Sequence, residues 1–90
     1  MPLKIRQATH FRRDVKRLRR QRVDLAKLQA VVVTLAAQET LDEKYRDHAL
    51  VGNWRGFREC HIQPDWLLIY RVEGEELQLA RTGSHAELFG

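Results

Sequence analysis

The chain has 90 residues with 16 Lys/Arg against 12 Asp/Glu, a net charge of +4, and one cysteine. That length makes a single domain, residues 1–90, with a modest core. Cys60 has no partner for an intramolecular disulfide, and the longest apolar run, VVVTLAA, is too short to span a bilayer, so a cytoplasmic protein with no membrane association is expected. The charge is uneven. Residues 1–22 hold nine basic residues and one acid, Asp14, whereas the rest holds seven basic and eleven acidic residues. A basic front of this kind suits a polyanionic partner, and the acidic remainder excludes a surface that grips nucleic acid all over.

Leu3-Lys4-Ile5 reads as a short strand with Leu3 and Ile5 on one face. Thr9 is the expected N-cap of a helix to about Arg20, with an apolar stripe of Phe11, Val15 and Leu18. Arg12, Arg13, Lys16, Arg17, Arg19 and Arg20 cover an arc of roughly 160° beside that stripe. Asp24 caps a second helix, about residues 25 to 37, with Leu25, Leu28, Val32 and Leu35 inward; the β-branched run Val31-Val32-Val33 argues weakly against it. The period then changes. WRGFREC, DWLLIYRV and ELQLARTG read as three strands, the last two joined by a turn at Gly74. Residues 66–72 are apolar on both faces, as a central strand requires. Ser84 begins one last helical turn. The order is β-α-α-β-β-β: an α+β fold with a helical hairpin packed on one face of a small, mostly antiparallel sheet.

If the three strands form a meander, alternate strand ends share a rim. His61, Asp65, Trp66, Arg81 and His85 then converge there, and His48 lies in the loop leading to the sheet. Two chemistries suit such a set. His and Asp are legitimate zinc ligands, but the spacings lack a compact metal motif and there is no second cysteine, so no metal and no cofactor is expected. The other is RNA cleavage by the ribose 2′-hydroxyl. There a base and an acid move protons and a cation holds the phosphate, roles open to histidine and arginine. Trp66 and Phe89 are the right type to stack on bases, and equally to be core aromatics. The basic face of the first helix (Arg12, Arg13, Lys16, Arg17, Arg20) exceeds what solubility needs and points to polyanion contact.

The combination KYRDHALVGNWRGFRECH, PDWLLIY and RTGSHAELFG, set in the β-α-α-β-β-β order, resembles the RelE/ParE superfamily of bacterial toxins, and within it the YafQ branch. The resemblance implies a RelE-like two-layer fold. It implies a ribosome-dependent endonuclease that cuts translated mRNA, and an antitoxin partner of the ribbon-helix-helix type. Operator DNA would be bound only through the antitoxin complex, which represses its own operon. It places the catalytic set on His48, His61, Asp65, Arg81 and His85, with His48 as base, His85 as acid and Arg81 at the scissile phosphate, and it gives Trp66 and Phe89 to the RNA pocket. The basic first helix would touch ribosomal RNA. A non-catalytic, ParE-like or partner-binding protein of the same fold is the competing reading, since fold does not fix function.

Overall fold

The computed structural model describes residues 1–90. In chain order the elements are β1 (Lys4–Gln7), α1 (Thr9–Arg20), α2 (Leu25–Ala36), β2 (His48–Ala49), β3 (Arg58–Gln63), β4 (Trp66–Glu73), β5 (Glu76–Gly83) and α3 (His85–Phe89). Single 3₁₀ turns occupy Glu43–Tyr45 and Gly52–Trp54. The sheet order is β1-β5-β4-β3-β2, antiparallel except for the β1–β5 pair.

The doubly apolar segment is indeed the sheet's centre. Leu68 and Tyr70 of β4, with Leu77 and Leu79 of β5, join Phe11, Leu18, Leu28, Val31, Val32 and Leu35 of the helical hairpin in the main core. Leu67 and Ile69 point the other way and meet Leu88 of α3, with Trp54 and Phe57 packed beside them. The expected two layers are therefore supplemented by a small third one, α3 and the residue 50–57 segment, on the far face. The β-branched run is accommodated in α2 because Val31 and Val32 are buried where the core repays their lost rotamer freedom, while Val33 faces water.

Several boundaries differ from the sequence expectation. Thr9 does not cap α1: the N-cap position is Ala8, without a side-chain bond. Ala8 is still engaged as strand, donating its N–H to the Leu79 carbonyl at 3.0 Å, so the chain passes from sheet to helix in one residue. Leu3 and Ile5 do not share an inner face. Leu3 precedes β1 and donates its N–H to Ala36 at the end of α2, which buries its side chain; Ile5 is 49% exposed. The strand expected from WRGFREC begins later, at Arg58, because Gly52 (φ +68°) and the Phe57 N–H to Trp54 carbonyl bond curl the preceding residues. Asp24 does cap α2, its carboxylate accepting the Ala26 N–H at 3.1 Å.

One bulge decides where the late residues point. Ile69 lies opposite Arg81 and Tyr70 opposite Leu79, so Ala80 is an extra residue on β5. Leu77 and Leu79 face the hairpin, yet Arg81 emerges opposite Ile69 on the far face, and Thr82 opposite Leu68 on the near one. Past Leu79, β5 has also run out of β1. Helix α1 covers that edge and supplies a carboxylate to it. Asp14, 1% exposed, accepts the Thr82 N–H at 3.1 Å, Arg81 Nε at 2.7 Å, Arg81 Nη2 at 3.1 Å and Arg17 Nη1 at 2.8 Å. Each oxygen holds two donors. Burial alone would push the Asp14 carboxyl up; the bonds from Arg81, Arg17 and Thr82 outweigh it and hold the group below the usual range.

A lowered native value means that Asp14 stabilises the fold above the unfolded carboxyl value of about 3.9 and ceases to do so as pH falls through its native value. Asp14→Asn is expected to cost about 3–5 kcal/mol at pH 7, the effect of leaving a buried partner uncompensated. Urea titrations of both proteins at pH 7 and pH 3 check this: the gap should narrow at the lower pH.

Candidate active site

The register sets two rows of residues across the far face. His48 is opposite Glu59, Glu59 opposite Ile69, and Ile69 opposite Arg81; beside them run His61, Leu67 and Gly83. Directly opposed residues share a face, so Glu59 and His61 project from the side away from the helical hairpin, next to His48. His48 thus sits on a two-residue strand rather than in a loop. The β3–β4 connection carries Asp65, and α3 brings His85 and Phe89 onto the same rim.

The three imidazoles form a chain, His48 to His61 at 6.2 Å and His61 to His85 at 5.8 Å between ring centroids. In each, Nδ1 meets an oxygen. His48 Nδ1 lies 2.7 Å from the Arg46 carbonyl, His61 Nδ1 3.4 Å from the Pro64 carbonyl, and His85 Nδ1 2.8 Å from Asp65 Oδ1. A carbonyl or carboxylate only accepts, so in His48 and His85 Nδ1 carries the hydrogen and Nε2 is left to take or give a proton, whereas His61 meets an acceptor at each nitrogen. Arg46 adopts a left-handed conformation (φ +49°), uncommon for a side-chain-bearing residue, and this turns its carbonyl toward His48. Asp65 also accepts the His85 backbone N–H at 3.0 Å. These two bonds, the backbone one first, hold the Asp65 carboxyl below its ordinary value.

Beneath the chain lies Glu59, a residue missing from the sequence reading. It is 5% exposed, with Oε1 3.3 Å from His61 Nε2 and 3.6 Å from His48 Nε2, so a proton on either ring meets a countercharge. Its signal was the strand alternation itself, since Glu59 and His61 are two apart. The Glu59 carboxylate and the rings of His61 and His85 also bring three donor atoms within 4.8 Å of one another, a mixed oxygen and nitrogen set that can hold a zinc or copper ion.

The remaining expected residues divide. Phe89 is 48% exposed, with its ring 6.4 Å from that of His85, and offers a stacking face beside the cluster. Trp66 does not: it is 5% exposed in the main core and donates its indole N–H to the Thr82 hydroxyl at 2.9 Å. A ring so buried offers no open face to a base. Arg81 starts on the site face, but its Nε and Nη2 are committed to Asp14 at the sheet edge; its Nη1 makes no protein bond. Removing Arg81 therefore also unsettles a buried carboxylate.

Arg17 departs furthest from expectation. Its guanidinium is not presented to solvent for a polyanion. It binds Asp14, donates to the Thr82 carbonyl at 3.1 Å and lies 2.7 Å from Glu87 Oε2 in α3, this last an ion pair without aligned hydrogen-bond geometry. Glu87 in turn accepts the Ser84 N–H, while the Ser84 hydroxyl accepts the Glu87 N–H. Arg17 thus clamps the helix that carries His85 and Phe89. Arg12, Arg13, Lys16 and Arg20 remain exposed on the outer face of α1.

Residues 3–90 match the family model described as the bacterial toxin of a type II toxin-antitoxin system, YafQ. The chain belongs to the YafQ family. The chain is 42% identical over 82 residues to the mRNA interferase toxin YafQ of Escherichia coli K12, covering 89% of this chain and 88% of that one. The E. coli YafQ solved in complex with DinJ superposes with a TM-score of 0.91 at 36% identity over the whole of both chains. A copper-bound mutant toxin from Helicobacter pylori gives 0.93 at 46% identity, covering 97% of this chain and 99% of that one. YafQ structures thus share this α+β architecture. No helix here is long and apolar enough to cross a membrane.

The clamp leaves no room at Gly83. A Cβ there would lie 2.6 Å from Arg17 Nη2 and 2.8 Å from Glu87 Oε1, at a backbone φ of +153°. Gly83→Ala is expected to destabilise the protein by about 1–3 kcal/mol, the cost of a backbone conformation that residues with a Cβ rarely adopt, and to displace the Arg17 and Glu87 ends of the clamp. Amide exchange should report it as lost protection concentrated in residues 84–90.

Proposed function

We propose that this chain is an mRNA interferase, an endoribonuclease that cuts translated messages on the ribosome by metal-free proton transfer. The observation that carries the reading is the row of imidazoles at whose two ends, His48 and His85, Nδ1 is held by oxygen and Nε2 is left for chemistry. The 2′-hydroxyl of a bound ribose attacks the adjacent phosphorus. One Nε2, that of His48, takes the hydroxyl proton. The Nε2–H of His85 gives a proton to the departing 5′ oxygen, leaving a 2′,3′-cyclic phosphate and a free 5′-hydroxyl. Asp65 orients His85, and His61 over Glu59 lies between the two. Arg81 offers Nη1 to the phosphate while Asp14 fixes the rest of its fork. Phe89 supplies a face for a base.

The mRNA interferase name of the E. coli relative supports the activity, and its DinJ complex supports an antitoxin partner. We take that partner to be of the ribbon-helix-helix type, the pair repressing its own operon and this chain touching operator DNA only within the pair. The exposed cations Arg12, Arg13, Lys16 and Arg20 serve as the sequence-independent contact to ribosomal RNA, and the cytoplasm is where such a substrate is met.

His85→Gln should slow single-turnover cleavage of translated mRNA by about 10²–10⁴-fold, the scale of general acid–base catalysis. Stripping metal from the toxin before assay, with Mg²⁺ restored for the ribosome, should leave the wild-type rate unchanged. An unaltered rate in the variant defeats the acid–base assignment. Loss of activity on stripping, regained with zinc or copper, assigns the step instead to an ion held by Glu59, His61 and His85.

Reversal of Arg13, Lys16 and Arg20 to Glu should weaken co-sedimentation with ribosomes and flatten its salt dependence, because fewer counterions are released. Binding that is unchanged across salt removes α1 from the ribosome contact.

A further inference from the structure

We propose that a groove along the outer edge of β3 is a second binding site, one for the backbone of single-stranded RNA continuing past the histidine cluster. It rests on the ribonuclease reading and extends the substrate beyond the scissile phosphate.

The groove encloses about 630 Å³ between α2, the Glu43–Tyr45 turn with Arg46, and the end of β3. That is within the roughly 300–1,000 Å³ of ligand clefts and has room for a nucleotide. It is continuous with the site, since His61 lines it. Its charge is of one sign: Lys27, Lys44 and Arg46 contribute, and no carboxylate lines it. The positive charge is also uncommitted. Arg6, Arg17, Arg58, Arg71 and Arg81 all form ion pairs, whereas Lys27, Lys44 and Arg46 form none. The acids nearest in sequence are mostly engaged: Asp24 caps α2, Asp42 binds the Lys44 N–H, and Asp47 holds Arg58 and the Tyr70 hydroxyl. Glu43 belongs to the turn but does not line the groove.

Two further features suit a nucleic acid. The Tyr45 ring lies on the groove wall with the Lys44 ammonium 5.2 Å from its centroid, the pairing of aromatic and cation on which single strands stack. The edge itself is open, because β2 pairs only with Arg58 and Glu59 and leaves Cys60–Gln63 without an outer strand. Arg46 joins the two sites, its carbonyl on His48 and its side chain on the groove. An acidic peptide would satisfy the cations, but it would have no reason to run into a row of proton-transfer groups; a cleavable strand must.

The test is an NMR titration of the ¹⁵N-labelled full chain with a seven-nucleotide RNA made uncleavable by a central 2′-deoxy sugar, against a dinucleotide carrying the same modification. Wild type should bind the heptamer at least tenfold more tightly, with shifts at Lys27, Tyr45 and Gln63. In Lys27→Ala/Lys44→Ala, two exposed positions outside the catalytic row, most of that preference should vanish while dinucleotide affinity holds. The slope of log K against log salt should become shallower by about 1.4, at roughly 0.7 per single-strand phosphate contact. Unchanged heptamer affinity and slope in the double variant overturn the proposal. So does an acidic heptapeptide that shifts the groove amides where RNA does not. Failure of the wild-type chain to cut translated mRNA would count against the ribonuclease reading alone, because strand binding is measured here without cleavage.

Discussion

A single buried carboxylate holds the two halves of this protein together. Asp14 is the only acid among the first 22 residues, and it faces inward between Phe11 and Leu18 on the helix's apolar side. A charge there is tolerable only because four donors converge on it, and three of them come from the end of β5. The β5 edge would otherwise carry an unpaired amide where β1 stops. The same carboxylate that seals the edge orients Arg81 and anchors Arg17, and through Arg17 it fixes α3. The position of His85 is therefore referred back to the first helix.

The site inherits its geometry from the sheet rather than from long loops. Three of its groups, His48, Glu59 and His61, lie on β2 and β3, in register with one another. The fourth, His85, is the first residue of a five-residue helix that could not stand alone. That helix is held by a capping box, by Asp65 at its first N–H, by Leu88 in the small core and by the Arg17 clamp. Each constraint acts on a different atom, and together they compensate for the marginal stability of so short an element.

Periodicity made most of this legible. The helical stripes, the doubly apolar central strand and the meander placed His61, Asp65 and His85 on one rim without coordinates, and the motifs pointed to the toxin family. What escaped was whatever depends on contacts far apart in sequence. The Ala80 bulge shifts the alternation of β5 by one, and nothing in ELQLARTG announces it. Arg17 looks like its neighbours on a basic helix; only the approach of residues 82–87 distinguishes it. Trp66 reads equally as a pocket wall or a core ring, and the Thr82 hydroxyl 16 residues away decides for the core. Alternation puts Glu59 on the face of His61, but a charged residue on a strand is ordinarily solvated, and its burial beside His48 and His61 is a tertiary fact that alternation does not give.

The pairing of β1 with β5 has a consequence for how the chain comes into being. Lys4 lies against Glu76 and Gln7 against Leu79, so the first strand waits for the last before it can pair. Asp14 likewise waits for Arg81 and Thr82. During synthesis the N-terminal helices emerge with a carboxylate whose partners do not yet exist, and closing so long a loop makes the final step non-local. His85 and Phe89 follow later still. A nascent chain short of β5 has no completed sheet edge and no third helix, so the histidine row is assembled only after nearly all of these residues have left the ribosome. The topology makes the site one of the last features of the fold to be completed.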